Sequence, residues 1–248
     1  MLKIVCVKIG QAYTHRDVNR LLRICKKYIS IPFQFFCYTE DGTDLDKDVT
    51  VIPFVDNDID VIVHNKLFLF SDYVEDALGD GDRVFFDLDM VFCDNIDHVV
   101  THNNTHLTLI KAAWRTPVHK GFPQYQHDLN SSCMTWRRGH ETKYIWEDYC
   151  DRMDLYQLMF HMGMDPYLYY VFYTNQLSTI KISTFPMGMF RSHLWGFDYK
   201  QNTPVEGSVN GRYEYDKVAE QALAHPIIVM NGPTTQEDHD KYDAIYSV

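Results

Sequence analysis

The chain has 248 residues, of which 46% are hydrophobic, which is enough for one large domain with a full core. Its 34 acidic residues outnumber its 23 lysines and arginines, so the formal net charge is −11. This sign is wrong for a surface that binds a phosphate backbone, and nucleic acid is therefore not an expected partner.

Predicted strands and helices alternate along the first third of the chain. Apolar runs predict strands over Lys3–Lys8, Phe33–Tyr38 and Val49–Pro53, and helical spacing of apolar residues predicts helices over His15–Ile29 and His64–Leu78. Such alternation indicates a largely parallel sheet covered by helices. Ligands bind such sheets at the carboxyl ends of the strands.

The second half of the chain is less regular. Its predicted elements are strands over Leu107–Ala113, Cys133–Trp136 and His225–Met230, helices over Glu141–Met153 and Asp165–Tyr173, and a polar loop over Gly196–Gly211. No repeat, low-complexity block or linker interrupts the sequence. We therefore expect a single domain over residues 1–248, with a mobile acidic tail from about Thr234.

The cysteine pattern and the absence of long apolar runs indicate the cellular compartment in which the protein is expected. Six cysteines are scattered without a C-x-x-C pair, which argues against a zinc knuckle and a disulfide framework. No basic and apolar leader opens the sequence, and no apolar run approaches ~20 residues, so neither a signal peptide nor a membrane span is expected. These features predict a cytoplasmic, reducing environment.

The most informative segment is the short apolar strand that runs into two carboxylates, RVFFDLDMV from Arg83 to Val91. Side chains at positions i and i+2 of an extended segment share a face, so Asp87 and Asp89 can converge on one cation. Few protein oxygens around an open coordination sphere are typical of Mg²⁺ or Mn²⁺ held together with a substrate diphosphate. Two solvated acids at a strand end are the alternative, because short Asp-x-Asp strings are common by chance.

Several motifs in a fixed order carry a resemblance to a known family. They are a loop after the first strand, TED after the second, NKLFLF, RVFFDLDMVF, LNSSCMTW and a late VMNGP. In this order they resemble the metal-dependent glycosyltransferases of GT-A fold, and especially small bacterial and viral sugar transferases related to the glycogenin and galactinol synthase group. The likeness spans Lys3 to about Pro233.

The resemblance implies a fold, a reaction and its substrates. The implied fold is α/β, with a Rossmann-like, mixed and mainly parallel sheet flanked by helices. The implied reaction transfers a sugar from a nucleotide-diphosphate donor, a UDP-sugar, to a hydroxyl of a glycan or another acceptor. The donor is anionic, and a bound Mn²⁺ or Mg²⁺ would help to bring it to so acidic a protein.

The resemblance also implies the residues that hold the metal. Asp87 and Asp89 are the metal-binding pair, with Asp87 also reaching the ribose. Asn231 stands where the glycogenin group has a histidine as the third protein ligand, and the lysine that follows in that group is missing here. An amide oxygen ligates Mn²⁺ more weakly than imidazole, so looser metal binding, or a ligand set completed by water, is expected.

Further residues are assigned to the donor by the same resemblance. Lys66 matches a basic residue near the donor phosphates, and its alternative is a solvated helix lysine. Tyr13 matches a ring that stacks on uracil, and is otherwise a surface aromatic. Lys8 and Leu88 are included in the same site.

The sugar and the acceptor are assigned residues of the second half. Asn130 and Ser131 match an element that hydrogen-bonds the transferred sugar, although Asn and Ser also favour turns. Asp165 is the candidate catalytic residue, but Pro166 replaces the glutamine of many relatives and makes Asp165 equally a plain N-cap. The acceptor is expected near the aromatic segment Trp195–Tyr199.

Two other functions remain open from the sequence. A strand followed by Asp-x-Asp also opens the haloacid dehalogenase-like phosphohydrolases, in which Asp87 would be the nucleophile and Asp89 the general acid. Against it, the motif lies far from the start of the chain, Met90-Val91 replaces the usual Gly-Thr, and no later Asp-Asp pair is present. A non-catalytic nucleotide-sugar binder on the same fold is the third possibility.

Overall fold

A computed structural model describes most of the chain. The described residues are 1–102, 107–112, 128–171, 182–186, 188–193, 197–198, 203–204, 226–230 and 236–246. Within these ranges, no helix is both long enough and apolar enough to cross a membrane.

The elements are numbered in chain order among the described residues. The strands are β1 (Leu2–Lys8), β2 (Phe33–Thr39), β3 (Val49–Pro53), β4 (Asp82–Phe86), β5 (Val91–Phe92), β6 (Leu107–Lys111), β7 (Leu129–Arg137), β8 (Ile182–Thr184), β9 (Phe190–Ser192), β10 (Phe197–Asp198), β11 (Thr203–Pro204) and β12 (Ile227–Val229). The helices are α1 (His15–Tyr28), a 3-10 helix (Ile62–Phe70), α2 (Asp72–Leu78), α3 (Asp97–Val100), α4 (His140–Asp151), α5 (Met153–Met159), α6 (Met164–Tyr169) and α7 (Gln236–Tyr246).

A seven-stranded sheet organises the fold, with the strand order β3-β2-β1-β4-β7-β6-β8. The first four strands are parallel to one another. Strand β7 is antiparallel to both of its neighbours, and β8 is parallel to β6. The carboxyl ends of β1, β2 and β4 therefore meet along one edge, which is where ligands bind in sheets of this kind.

Both faces of this sheet are covered, because alternate residues of its strands point to opposite sides. Ile4 and Cys6 pack against α1 in one apolar cluster. Val5 packs into a second cluster on the opposite face, formed with the 3-10 helix, α2, α4 and α6. This two-sided burial explains why β1 and β4 read as near-continuous apolar runs in the sequence.

Helix α1 begins as a capped helix. The Thr14 N–H donates to the Asp17 carboxylate at 2.7 Å while the Thr14 side chain caps the first turn. This reciprocal arrangement satisfies backbone donors that the helix leaves open. The apolar face is buried against the sheet through Val18, Leu21, Leu22, Ile24 and Cys25.

A smaller sheet with the order β5-β12-β9 adjoins the main one. Strand β12 is antiparallel to β5 and parallel to β9. Helix α7 packs beside this sheet, since Tyr242 is fully buried with Val91, Ile228 and Met230. The acidic tail, which the sequence predicts to be mobile, is thus helical over Gln236–Tyr246. The acidic composition suggested a fully exposed segment, but Tyr242 docks the helix against the smaller sheet.

The single helix predicted over His64–Leu78 is wrong. The structure has the 3-10 helix and α2, separated at Ser71, whose extended backbone and side chain cap α2 through the Val74 N–H. The cause is visible in the burial of Leu67, Phe68, Leu69 and Phe70. Four consecutive buried residues do not form the one-sided stripe of an amphipathic helix.

Other boundaries shift in the second half. The strand predicted over Cys133–Trp136 is the later part of β7, and the helix predicted from Glu141 is α4, followed by the unpredicted α5. The predicted strands over Leu107–Ala113 and His225–Met230 correspond to β6 and β12. Within the loop predicted over Gly196–Gly211, β10 and β11 form a short antiparallel pair.

Candidate active site

The two carboxylates singled out in the sequence lie directly beyond β4. The strand ends at Phe86, and the Met90 N–H donates to the Asp87 carbonyl at 3.4 Å, closing a four-residue turn. Asp87 and Asp89 are therefore brought together by a turn, and the predicted extended geometry is wrong at this point. The side chain of the intervening Leu88 is buried in the core, and this burial holds the turn against the sheet.

Asp87 is paired with Lys66 from the 3-10 helix. The Lys66 Nζ lies 2.6 Å from Asp87 Oδ1 and 5.3 Å from the centre of the Phe85 ring. Burial lowers the pKa of Lys66, but the charges of Asp87, Asp165 and Asp89 outweigh it and leave the pKa raised. Lys66 is thus a largely buried cation at the acidic turn, and the alternative of a solvated helix lysine is wrong.

Asp89 is paired with Tyr13, which precedes α1. The Tyr13 hydroxyl donates to Asp89 Oδ2 at 3.1 Å. Burial and the charge of Asp87 raise the pKa of Asp89 to about 7, although Lys66 and the Tyr13 hydroxyl oppose this. Burial and the same two carboxylates raise the pKa of Tyr13, so its hydroxyl stays protonated and keeps donating.

Strand β7 brings the predicted sugar-binding residues to the same place. The Asp87 N–H donates to the Ser132 carbonyl at 2.8 Å, which fixes the turn to β7. Asn130 and Ser131 immediately precede Ser132 within the strand, so the alternative that they form a turn is wrong. The Asn130 side chain accepts from the Ser132 N–H at 3.1 Å.

Asp165 enters the site from the first turn of α6. Its carboxylate accepts from the Ser131 N–H at 2.9 Å, and its charge acts on Lys66. Gly163 occupies the N-cap position, without a side-chain cap. Asp165 is therefore directed to β7 and the lysine, and its reading as an N-cap is wrong.

Lys8 lies at the carboxyl end of β1, apart from the carboxylate pair. Its Nζ is 3.5 Å from Thr39 Oγ1 and 3.4 Å from the Asp41 carbonyl. Glu40, the centre of the TED motif, accepts from the Gly10 N–H at 2.8 Å. Gly10 has φ of +71°, so glycine suits this position, and Glu40 holds the loop that leads to Tyr13.

Sequence reasoning missed Glu40 and Gly10 as contributors to the site. The motif order pointed to the TED segment, but nothing in the pattern indicated that its carboxylate would hold the loop after β1. The metal ligand expected at Asn231 and the acceptor segment expected at Trp195–Tyr199 lie outside the described residues, except for the backbone of β10.

The chemistry of Asp87 and Asp89 fits a divalent cation. Burial and the nearby charge of Asp87 raise the pKa of Asp89, and a cation between the two carboxylates would offset both effects. Among the described ranges, no group of three His, Cys, Asp or Glu residues forms a closed metal site. The two carboxylates therefore fit a hard divalent cation such as Mn²⁺ or Mg²⁺.

Comparison with solved structures confirms the predicted fold. The chain matches the crystal structure of an active-site mutant of LgtC, a glycosyltransferase of GT-A type, with a TM-score of 0.60 over 99% of this chain and 96% of that chain. Sequence identity is 10%, so the likeness is one of fold. No protein-family model and no curated protein matches the sequence. The α/β, mainly parallel GT-A fold is thereby established.

Proposed function

We propose that the protein is a glycosyltransferase that moves a sugar from a UDP-sugar to a hydroxyl of a glycan or another acceptor. One observation carries this proposal. In a GT-A fold, the acidic turn of Asp87 and Asp89 meets Lys66 and Tyr13 at the carboxyl edge of the sheet. This is the place where a nucleotide ligand is expected in a sheet of this kind.

The donor diphosphate would lie over the acidic turn. Asp87 and Asp89 would hold Mn²⁺ or Mg²⁺, which when bound neutralises the diphosphate and improves it as a leaving group. Lys66 adds a compact positive charge that is already positioned by Asp87. Tyr13 orients Asp89 through its hydroxyl, and we assign its half-buried ring to the base.

The transferred sugar and the acceptor would lie toward β7 and α6. Asn130 and Ser131 occupy the strand beside the turn, and the Ser131 N–H fixes the orientation of the Asp165 carboxylate. The charge of Asp165 also acts on Lys66, so its carboxylate lies near the lysine that we assign to the donor phosphates. Asp165 is the carboxylate that we assign to the sugar or to the acceptor hydroxyl, and Asn231 remains a proposed further ligand.

A donor-hydrolysis assay tests this function. UDP release from a panel of UDP-sugars should require Mn²⁺ or Mg²⁺, stop with EDTA, and fall by at least about a hundredfold in Asp87→Asn. Asp80→Asn is the matched control, because this exposed carboxylate precedes the opposite end of β4. Turnover of a generic phosphomonoester without UDP release would identify a phosphohydrolase instead, and binding without turnover would identify a non-catalytic binder.

A further inference from the structure

Arg20, a buried residue of α1, connects the acidic turn to the C-terminal helix. We propose that Arg20 is a positioning residue that fixes the Asp87–Met90 turn through the Met90 carbonyl, and that it depends on Asp243 of α7 to do so. The inference rests on the proposed function, because it concerns the geometry with which the turn receives the donor.

The guanidinium group of Arg20 makes contacts in two directions. Its Nε lies 2.9 Å from each carboxylate oxygen of Asp243, and Nη2 donates to the same carboxylate. Its Nη1 donates to the Met90 carbonyl at 3.0 Å. The planar fork of arginine allows both contacts at once, whereas the single ammonium of lysine does not reproduce this geometry.

The Met90 carbonyl is well placed to control the turn. It directly follows Asp89, and the Met90 N–H closes the turn by donating to the Asp87 carbonyl. A displacement at Met90 therefore moves the backbone that carries Asp89. Since misplacement of a binding group by about 1 Å can cost up to about a hundredfold in activity, a small shift here would reach the donor site.

Helix α7 supports the same segment by a second route. Tyr242, one residue before Asp243, packs against Val91, which immediately follows Met90. The Tyr242 hydroxyl lies 2.8 Å from Nδ1 of His193, which directly follows β9 of the smaller sheet. The position of Asp243 is thus fixed by the packing of its neighbour, and α7 reaches the turn through both Arg20 and Val91.

Loss of Asp243 should act on the turn through Arg20. Arg20 is only 5% exposed, and a buried guanidinium without its carboxylate is unfavourable in its present position. Asp243→Asn should therefore release Met90. Arg20→Lys should have the same effect, although it keeps a positive charge opposite Asp243.

Hydrogen exchange and calorimetry test the inference on the full-length chain. In Asp243→Asn and Arg20→Lys, we expect amide exchange over residues 87–92 to accelerate roughly tenfold, with β2 unchanged, and Mn²⁺-dependent affinity for UDP to fall roughly tenfold. Glu237→Gln is the matched control, because it removes an exposed pair with Lys241 on the same helix. It should leave both quantities at the wild-type value.

The outcomes separate this inference from the proposed function. If both variants lower the melting temperature while exchange in the turn and UDP affinity remain those of the wild type, Arg20 is only structural and the inference is overturned. If the wild type itself does not bind UDP with Mn²⁺, the proposed function fails. The exchange rate of the turn without any ligand still decides whether Arg20 holds it.

Discussion

At the scale of single residues, each carboxylate of the acidic turn has a partner of its own. Asp87 contacts Lys66, and Asp89 accepts from the Tyr13 hydroxyl. Two like charges in a partly buried turn repel each other, and these partners offset that repulsion before any ligand arrives. The turn is therefore held in place before any ligand arrives, which would lower the cost of binding the proposed cation and diphosphate.

The two possible roles of Tyr13 can be separated by substitution. Tyr13→Phe keeps the ring but removes the hydroxyl that contacts Asp89, so we expect Mn²⁺-dependent UDP affinity to fall several-fold. Binding of uridine, which lacks the diphosphate, should change little, because the ring is retained. Tyr13→Leu should weaken both ligands.

A competition titration of uridine and UDP against each variant measures this difference. Equal loss of uridine and UDP affinity in Tyr13→Phe would show that the hydroxyl has no special role at Asp89.

The sequence predicted the charged residues of the site better than their partners. Asp87, Asp89 and Lys66 belong to short motifs, and the order of these motifs is visible in the sequence alone. The contact between Tyr13 and Asp89 joins residues 76 positions apart. Such a contact depends on the path of the loop after β1, which Glu40 and Gly10 set and which no periodicity in the sequence encodes.

At the scale of elements, the strand that carries the acidic turn is fixed at its other end by a buried ion pair. Arg83 Nη2 at the start of β4 lies 2.8 Å from Glu75 Oε2 of α2, and both side chains are almost fully buried. The Trp136 indole N–H of β7 donates to Glu75 Oε1 at 2.7 Å. Arg83 also donates to the Gly79 carbonyl at 2.7 Å, so the turn before β4 is tied to the same group.

Removal of Arg83 should strongly destabilise the fold. Arg83→Met leaves the Glu75 carboxylate buried without its counter-charge, and we expect a loss of about 3–5 kcal/mol in the free energy of unfolding. The double substitution Arg83→Met with Glu75→Gln should recover much of that loss, because it removes the charge as well.

Denaturant unfolding measures both free energies. Arg137→Met is the control on the neighbouring strand β7, since Arg137 pairs with Asp82 at the surface and should matter little. An Arg83→Met protein as stable as the wild type would contradict the assigned role of the pair.

The 3-10 helix that carries Lys66 is held by a buried histidine. His64 Nδ1 lies 2.8 Å from the Tyr149 hydroxyl, and His64 Nε2 lies 3.0 Å from the Phe160 carbonyl. A carbonyl only accepts, so Nε2 donates, and the neutral ring satisfies both contacts. Burial lowers the pKa of His64 below its ordinary value.

This shift predicts a loss of stability in acid. The unfolded chain takes up a proton on His64 near pH 6.5, whereas the folded chain takes it up only at lower pH. The contribution of His64 is therefore complete above about pH 6.5 and falls as the pH decreases below it.

Melting temperatures at pH 7.5 and 5.5 check this contribution. Between pH 7.5 and pH 5.5, the melting temperature of the wild type should fall further than that of His64→Gln. The variant His98→Gln, which changes an exposed histidine, should show the same decrease as the wild type. An equal decrease in the wild type and His64→Gln would contradict the prediction.

Element types were predictable where the burial was one-sided or the apolar run was short. Helix α1 has a capping box and a single apolar face, and strands β1 to β4 lie between turn residues. The 3-10 helix was not predicted because residues 67–70 are all buried and leave no polar face there, and α7 was not predicted because its docking depends on Tyr242 and on the ion pair with Arg20. Both depend on tertiary packing, which local patterns do not contain.

At the scale of the whole molecule, the fold collects residues that are distant in sequence at one sheet edge. Tyr13 follows β1, Asp87 follows β4, and Ser131 lies in the antiparallel β7 beside it. The alternation of the first half predicted the parallel part of this sheet. The antiparallel insertion of β7 between β4 and β6 was not predictable, because nothing local specifies the direction in which a strand pairs.

The net charge of −11 bears on how an anionic donor binds to this edge. Lys66 lies beside this carboxylate pair, and the charges of Asp87, Asp89 and Asp165 already act on it, whereas Arg20 is paired with Asp243. An added positive charge would therefore favour the binding of the proposed UDP-sugar, so we expect the metal to be needed for donor binding as well as for the reaction.

Isothermal titration of UDP into the wild type and Asp89→Ala, first with Mn²⁺ and then with EDTA, tests this central claim most directly. We expect the wild type to bind UDP only with Mn²⁺, and we expect this binding to be lost, or weakened at least about a hundredfold, in Asp89→Ala. Binding of equal strength with EDTA, or in Asp89→Ala, would contradict a metal-mediated donor site at this turn. No UDP binding by the wild type under any of these conditions would contradict the assignment of a UDP-sugar donor altogether.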